Sequence, residues 1–345
     1  MRRRTLLRAG RAWASGAWAS GAWAWGAVGL AAGLRPGRAA AGGGPVSILV
    51  PAFPDAPAGL AARLLQPRLE LALDRSVIVD FRPGAGGITG LGDGARAPAD
   101  GATLTLLTPA IVAAPWLSQR MDWTPRDFAP IGRISFTPEV LVVAAGSPYR
   151  TLAGLMAALR AHPGALPAPF DDTWSSAEIA EVMFLDRAGL AARPVAGSHI
   201  AAGLADGTLA FAVRPMPWTL GGIAAGRLRA LAVSAPADGD ARRDAPPLPG
   251  VPRFRDLGLE VTIGSWLVLA APAGTPAAVL APLRAALREA MAAEGLRARL
   301  AAGGIAPAWQ DGPAAEAAMV AEYRALGRLF TAIGAGWRAP AVASR

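Results

Sequence analysis

VDFRPGAGGITGLGDG, residues 79–94, follows directly on the β-branched pair Val77-Ile78, and through Arg82-Pro83-Gly84-Ala85-Gly86-Gly87 it leads into a segment able to begin a helix. That order reads as strand, tight turn and helix. Glycine at the turn permits positive φ and lets a second segment or a ligand approach the main chain closely. Free N–H groups at the helix start favour an anion. The chemistry on offer is carboxylate or phosphate binding by main-chain amides, and a tight βα turn without a ligand is the other reading. The spacing departs from the dinucleotide fingerprint, because Gly84-Ala85-Gly86 is followed three positions on by Thr89 rather than glycine.

Working outward, the turn continues into Ala95-Arg96-Ala97-Pro98-Ala99-Asp100-Gly101-Ala102-Thr103-Leu104. Together these segments resemble the glycine-rich region of the periplasmic solute-binding receptors of tripartite tricarboxylate transporters, the Bug receptors. Five further stretches are similar to that family: VSILVPAFPDAPAGLAARLLQPRL (46–69), DWTPRDFAPI (122–131), IAAGRLRALAVS (223–234), LPGVP (248–252) and GSWLVLAAPAGTP (264–276). The resemblance covers residues 46–333. It implies an α/β fold of two doubly wound lobes, a type II periplasmic-binding-protein or Venus flytrap architecture. Residues 45–143 and 266–335 form lobe I, residues 144–265 form lobe II, and 336–345 are a tail. Hinge strands are expected near 139–143 and 266–271.

Strand and helix periods agree with that plan. Val46 to Val50 is a short buried strand, and Leu60, Leu64, Leu65 and Leu69 follow a helical spacing. Residues 139–143 form a nearly continuous apolar run, as in a strand covered on both faces. The charge-free span 261–283 is broken by Pro272, Pro276 and Pro282, which argues against a membrane helix. Amphipathic helices are expected over 277–293, 295–302 and 313–332.

The first 41 residues read as an export leader: Arg3-Arg4-Thr5-Leu6-Leu7 looks like a twin-arginine signal, an Ala/Trp/Gly stretch follows, and Ala39-Ala40-Ala41 suits cleavage. An uncleaved N-terminal anchor is the alternative. All 34 basic residues are arginine, and seven precede Gly42, where there is no acid. The rest of the chain then carries 27 arginines against 25 acids, a net charge of only +2. The basic isoelectric point therefore reports the leader rather than a nucleic-acid partner. With no cysteine and only His162 and His199, thiolate chemistry, disulfides and a histidine metal site are not expected. No catalytic residues, metal or cofactor are expected, and the missing GxSxG elbow counts against an exported hydrolase.

The candidate ligand-binding residues follow from the resemblance. Phe53, Asp55 and Ala56 lie in the loop after the first strand, Gly86 and Gly87 in the glycine turn, and Thr108 and Ala110 at the exit of a third strand. These form one wall. Asp55 replaces a glycine of the family's loop, so it either meets a cationic group on the ligand or caps the next helix. Ser175 and Ser176 stand at a helix start, where serines cap or bind a ligand oxygen. Gly197 and Ser198 keep the family's pattern, His199 follows them and faces either the cleft or solvent, and Arg214 stands where an aspartate is common. Arg214 either binds a carboxylate or forms a surface ion pair. These line the second wall, with Asp171 and Asp172 on a nearby loop.

The resemblance implies a periplasmic, monomeric receptor that captures a small organic acid or amino acid and delivers it to membrane permease subunits. A sensory binding protein of the same fold is the alternative. The acids on the loops predict weak citrate binding and better binding of a monocarboxylate or a zwitterion.

Overall fold

The computed structural model describes residues 44–117, 121–170, 175–196, 199–235 and 248–333. The leader (1–41), the tail (336–345), Asp171, Asp172, Gly197 and Ser198 lie outside the described residues.

β1 (Val46–Val50) pairs in parallel with β2 (Val77–Phe81) on one side and β3 (Thr103–Leu107) on the other. Parallel neighbours need crossover connections. These are supplied by α1 (Pro57–Leu73), which buries Leu64, Leu65 and Leu69, and by α2 (Ile88–Ala95). α2 lies close to the sheet because of its glycines. A Cβ on Gly94 would sit 2.1 Å from the Thr105 hydroxyl, and one on Gly90 would sit 2.7 Å from the Arg82 carbonyl oxygen.

After α3 (Ala110–Leu117) comes β4 (Phe128–Ala144), the longest strand. The remaining elements are α4 (Leu152–Ala161), β5 (Pro167–Pro169), α5 (Ser176–Ala188), β6 (Arg193–Val195), α6 (Ile200–Asp206), β7 (Ala212–Pro215), α7 (Met216–Ala224), β8 (Leu228–Val233), β9 (Gly264–Pro272), α8 (Ala277–Ala292), α9 (Glu294–Ala302), β10 (Pro307–Asp311) and α10 (Gly312–Ile333). The main sheet runs β10-β4-β9-β3-β1-β2, and β5 and β6 form a small parallel pair.

β4 serves two sheets. Its first part, from Phe128 to Pro138, pairs antiparallel with β9 and carries β10 on its other edge. From Glu139 to Ala144 it pairs instead with β7 and β8. The sequence pattern marks only its second part as a strand. The first part escapes because Pro130, Gly132 and Pro138 interrupt the alternation; the register shifts between Pro130 and Gly132 and between Arg133 and Ser135 absorb those breaks. In the second part, Val140 and Val142 pack into a cluster with Leu204, Ala212 and Met216. Leu141 and Val143 face a different cluster, with Ile179, Phe184 and Phe211. Burial of alternate residues on both faces is the two-residue period of a covered strand.

A separate apolar cluster lies between the main sheet and α1, α8 and α9, built from Ile48, Leu65, Leu69, Leu269, Leu287 and Leu300 among others. The span 261–283 is the strand β9, a turn and the start of α8. Among the described residues no helix is long and apolar enough to cross a membrane.

Candidate functional site

The order β2-β1-β3 places a crossover on each side of β1, so the carboxyl ends of three parallel strands open on one edge. That arrangement makes a crevice for ligands in open α/β sheets. Three predicted loops meet there: 51–56 after β1, 82–87 after β2, and Thr108 to Ala110 after β3.

The first two loops are in contact through glycine. A Cβ on Gly87 would lie 2.9 Å from the Pro51 carbonyl oxygen, and one on Gly90 would lie 2.9 Å from Pro51 Cα. Gly59 plays the same part inside the first loop, its missing Cβ leaving room for the Pro54 carbonyl oxygen at 2.5 Å. Gly87 is therefore occupied by packing. Gly86, at φ +67°, faces open space, with nothing within 4 Å of where a Cβ would be. Ala85 adopts φ 46°, a left-handed conformation that a non-glycine residue takes at a cost of about 1–2 kcal/mol.

α1 begins beside this turn with Ala56 as N-cap, Pro57 in its first turn and no side-chain cap. Pro57 carries no N–H, and no side chain caps the N–H groups of the buried Ala58 and Gly59. Asp55 is exposed and does not cap the helix; among the described residues it has no hydrogen bond or ion pair. Phe53 is 64% exposed. Thr108 and Ala110 are half-buried at the start of α3, where the Thr108 carbonyl oxygen accepts from Ile111 N.

The second group is organised by α5. Ser175 is its N-cap, with Oγ accepting from Glu178 N at 3.4 Å, so this serine caps as expected of the residue type. Ser176 is used differently: its Oγ donates to Glu139 Oε1 at 2.7 Å. Arg214, half-buried on β7, makes no surface ion pair among the described residues. Its Nε is buried without a hydrogen-bond partner, and its charge acts on Glu139 and Glu181. His199 is exposed at the N-cap of α6 and makes no capping bond.

Glu139 and Glu181 are the site residues that sequence reasoning missed. Glu139 is fully buried at the start of β4's second part, and Glu181 is 6% exposed on α5, its Oε2 accepting from Val213 N. Burial pushes both carboxyls up to about 8, opposed for Glu139 by the Ser176 hydrogen bond and the Arg214 charge. For Glu181 the Val213 N–H and Arg214 oppose burial, while Glu178 adds to it. Their signal was present in the sequence: a lone acid heads the apolar run 138–145, and Glu178 and Glu181 are one turn apart on a largely buried helix. Among the described residues no group of three His, Asp or Glu side chains is placed to hold a metal.

Residues 61–334 match the family described as "Tripartite tricarboxylate transporter family receptor". The protein BugT of Bordetella pertussis is 31% identical over 271 residues, 76% of this chain and 81% of that protein. A protein encoded between tcbD and tcbE in Pseudomonas sp. strain P51 is 31% identical over 260 residues, 72% of this chain and 74% of its own length. A TctC solute-binding protein from Polaromonas, solved without ligand, shares the fold at TM-score 0.74 and 23% identity, over 84% of this chain and 98% of that one. An R. palustris protein solved with adipate matches at TM-score 0.65 and 25% identity, over 84% and 97% of the two chains.

Proposed function

The chain belongs to the tripartite tricarboxylate transporter receptor family, and on that premise we propose that it captures a small carboxylate-bearing metabolite between its lobes and delivers it to membrane permease subunits. Lobe I comprises residues 45–143 and 266–335, lobe II residues 144–265, and the leader is cleaved near Ala41 so that the receptor works in the periplasm. The adipate bound to the R. palustris relative supports a carboxylate ligand.

The observation that carries the reading is the uncapped start of α1 beside the open Gly86 turn, at the carboxyl edge of β2-β1-β3. Main-chain N–H groups there, at the positive end of the α1 dipole, hold a carboxylate. Phe53, Asp55, Ala56, Thr108 and Ala110 complete that wall. Ser175, Ser176, Gly197, Ser198, His199 and Arg214 form the opposite one. A ligand that touches both walls binds the closed arrangement better than the open one and so shifts the population towards closure. Closure then presents a defined surface to the permease. β4, which passes from one sheet to the other, is the natural hinge.

A thermal-shift screen of the purified protein against mono-, di- and tricarboxylates tests this, since a ligand that binds only the folded state raises the melting temperature. A clear rise with at least one carboxylate is expected. No rise with any member of the panel overturns the reading.

A further inference from the structure

A cavity of about 490 Å³ lies at the β10 edge of the main sheet, where α8 and α9 meet β10 and the first part of β4. It shares no residue with the loops that follow β1, β2 and β3. Its size falls in the range of about 300–1,000 Å³ usual for small-molecule sites.

Three arginines from three elements line it: Arg133 from β4, Arg288 from α8 and Arg297 from α9. Arg133 is the buried member, 8% exposed, with its guanidinium 5.5 Å from the centroid of the Phe136 ring. Arg288 and Arg297 are exposed, and neither guanidinium makes a hydrogen bond or an ion pair among the described residues. No acid among those residues lines the cavity. Residues 42–345 are close to neutral as a whole, so this wall is a local excess of positive charge. Like charges facing one recess repel, and an anion between them removes that repulsion.

The rest of the wall is apolar, with Met291 from α8 and Pro307 and Trp309 from β10. Gly132 of β4 seats the indole: a Cβ there would lie 2.7 Å from Cη2 and Cζ3 of Trp309. The ring is nevertheless 37% exposed, and among the described residues no other ring or guanidinium stacks on it. An open indole beside two uncompensated guanidiniums suits a planar apolar body that carries an anionic group. A single carboxylate neutralises one of the two arginines. A phosphate monoester brings nearly two negative charges and three acceptor oxygens on one group, enough for both forked donors.

We propose that this cavity is a second ligand site, which takes a phosphate monoester borne on a planar ring: the phosphate sits between Arg288 and Arg297, and the ring lies against Trp309.

The test is calorimetric titration of phenyl phosphate, inorganic phosphate and benzoate into the purified full chain at pH 7.5. Phenyl phosphate is expected to bind ~10-fold or more tightly than either of the others, since each of those lacks one of the two contacts. Arg288→Gln and Arg297→Gln should each weaken it by ~10-fold or more, the scale of a lost charge-assisted hydrogen bond. Both side chains are exposed, so these variants should melt with the unaltered protein. Trp309→Leu should bring phenyl phosphate down to the level of inorganic phosphate. Because the second ionisation of the phosphate falls near pH 6, binding should also weaken from pH 7.5 to pH 5.

Absence of binding, or binding no tighter than that of benzoate or inorganic phosphate, overturns the proposal. Binding that survives both arginine substitutions overturns it as well and assigns the compound to the crevice at β1, β2 and β3. The receptor reading is tested separately, since none of its residues lines this cavity.

Discussion

Glu139→Gln makes a prediction about the pH dependence of stability. An unfolded Glu139 titrates near 4.5, and in the folded chain burial moves that titration to about 8. Between those values the folded state holds a proton that the unfolded state lacks, so stability falls as pH rises. The contribution is intact below pH 4.5, is lost progressively, and is fully lost above about 8. A displacement of that size corresponds to roughly 5 kcal/mol in total, of which roughly 3 kcal/mol is already lost by pH 7. Glutamine keeps the volume and can still accept from Ser176, but it carries no charge to desolvate. The variant is therefore expected to be more stable than the unaltered protein by roughly 2–4 kcal/mol at pH 8 and to match it near pH 4.5. Urea denaturation at pH 5, 6.5 and 8 measures both chains by midpoint and slope. The reasoning is refuted if the unaltered protein gains stability from pH 5 to pH 8, or if the glutamine variant is no more stable than it at pH 8.

Other substitutions test the remaining contacts. Glu181→Gln should behave in the same direction, and the double variant should give less than the sum of the two, because both acids share Arg214. Gly94→Ala drives a Cβ into the buried Thr105 side chain and should lower stability by ~1–3 kcal/mol despite the better helix propensity of alanine, read from the melting temperature. Gly90→Ala meets two main-chain atoms, Arg82 O and Pro51 Cα, so it should both destabilise and weaken carboxylate binding by separating the two loops; unchanged affinity would show that the loops are held elsewhere. Ser175→Ala removes a long N-cap bond and should cost about 0.5–1 kcal/mol, while Ser176→Ala, which strips a hydrogen bond from the buried Glu139 carboxyl, should cost more at pH 8 than at pH 5.

The parallel core of the fold was legible because its signals are local. A β-branched run, a glycine turn and a leucine period at 60–69 each depend on neighbours within a few residues, and all three recur as β2, its turn and α1. β4 was half legible for the opposite reason. Its first eleven residues contain two prolines and a glycine that only a specific partner strand tolerates, and the bulges against β9 that make room for them are a property of the pair. The site divided in the same way. The glycine turn and the Ser175 cap could be read from composition, but packing against Pro51 takes up Gly87 and leaves Gly86 open, a division that no spacing encodes. Glu139 was hidden by its surroundings: at the head of PEVLVVAA one acid resembles a strand terminus at the surface, and it is buried by partners distant in sequence, among them Ser176 of α5 and Ser234.

Glu139 sits at a change of strand partners. The residue lies where β4 exchanges β9 for β7 and β8, one position after the last pairing with β9 at Pro138 and Gly264. At pH 7 holding the group uncharged costs roughly 3 kcal/mol relative to the unfolded chain, and charging it in the folded protein costs roughly 1.4 kcal/mol more. The fall in stability from pH 5 to 8 that this carboxyl contributes should therefore be absent in Glu139→Gln.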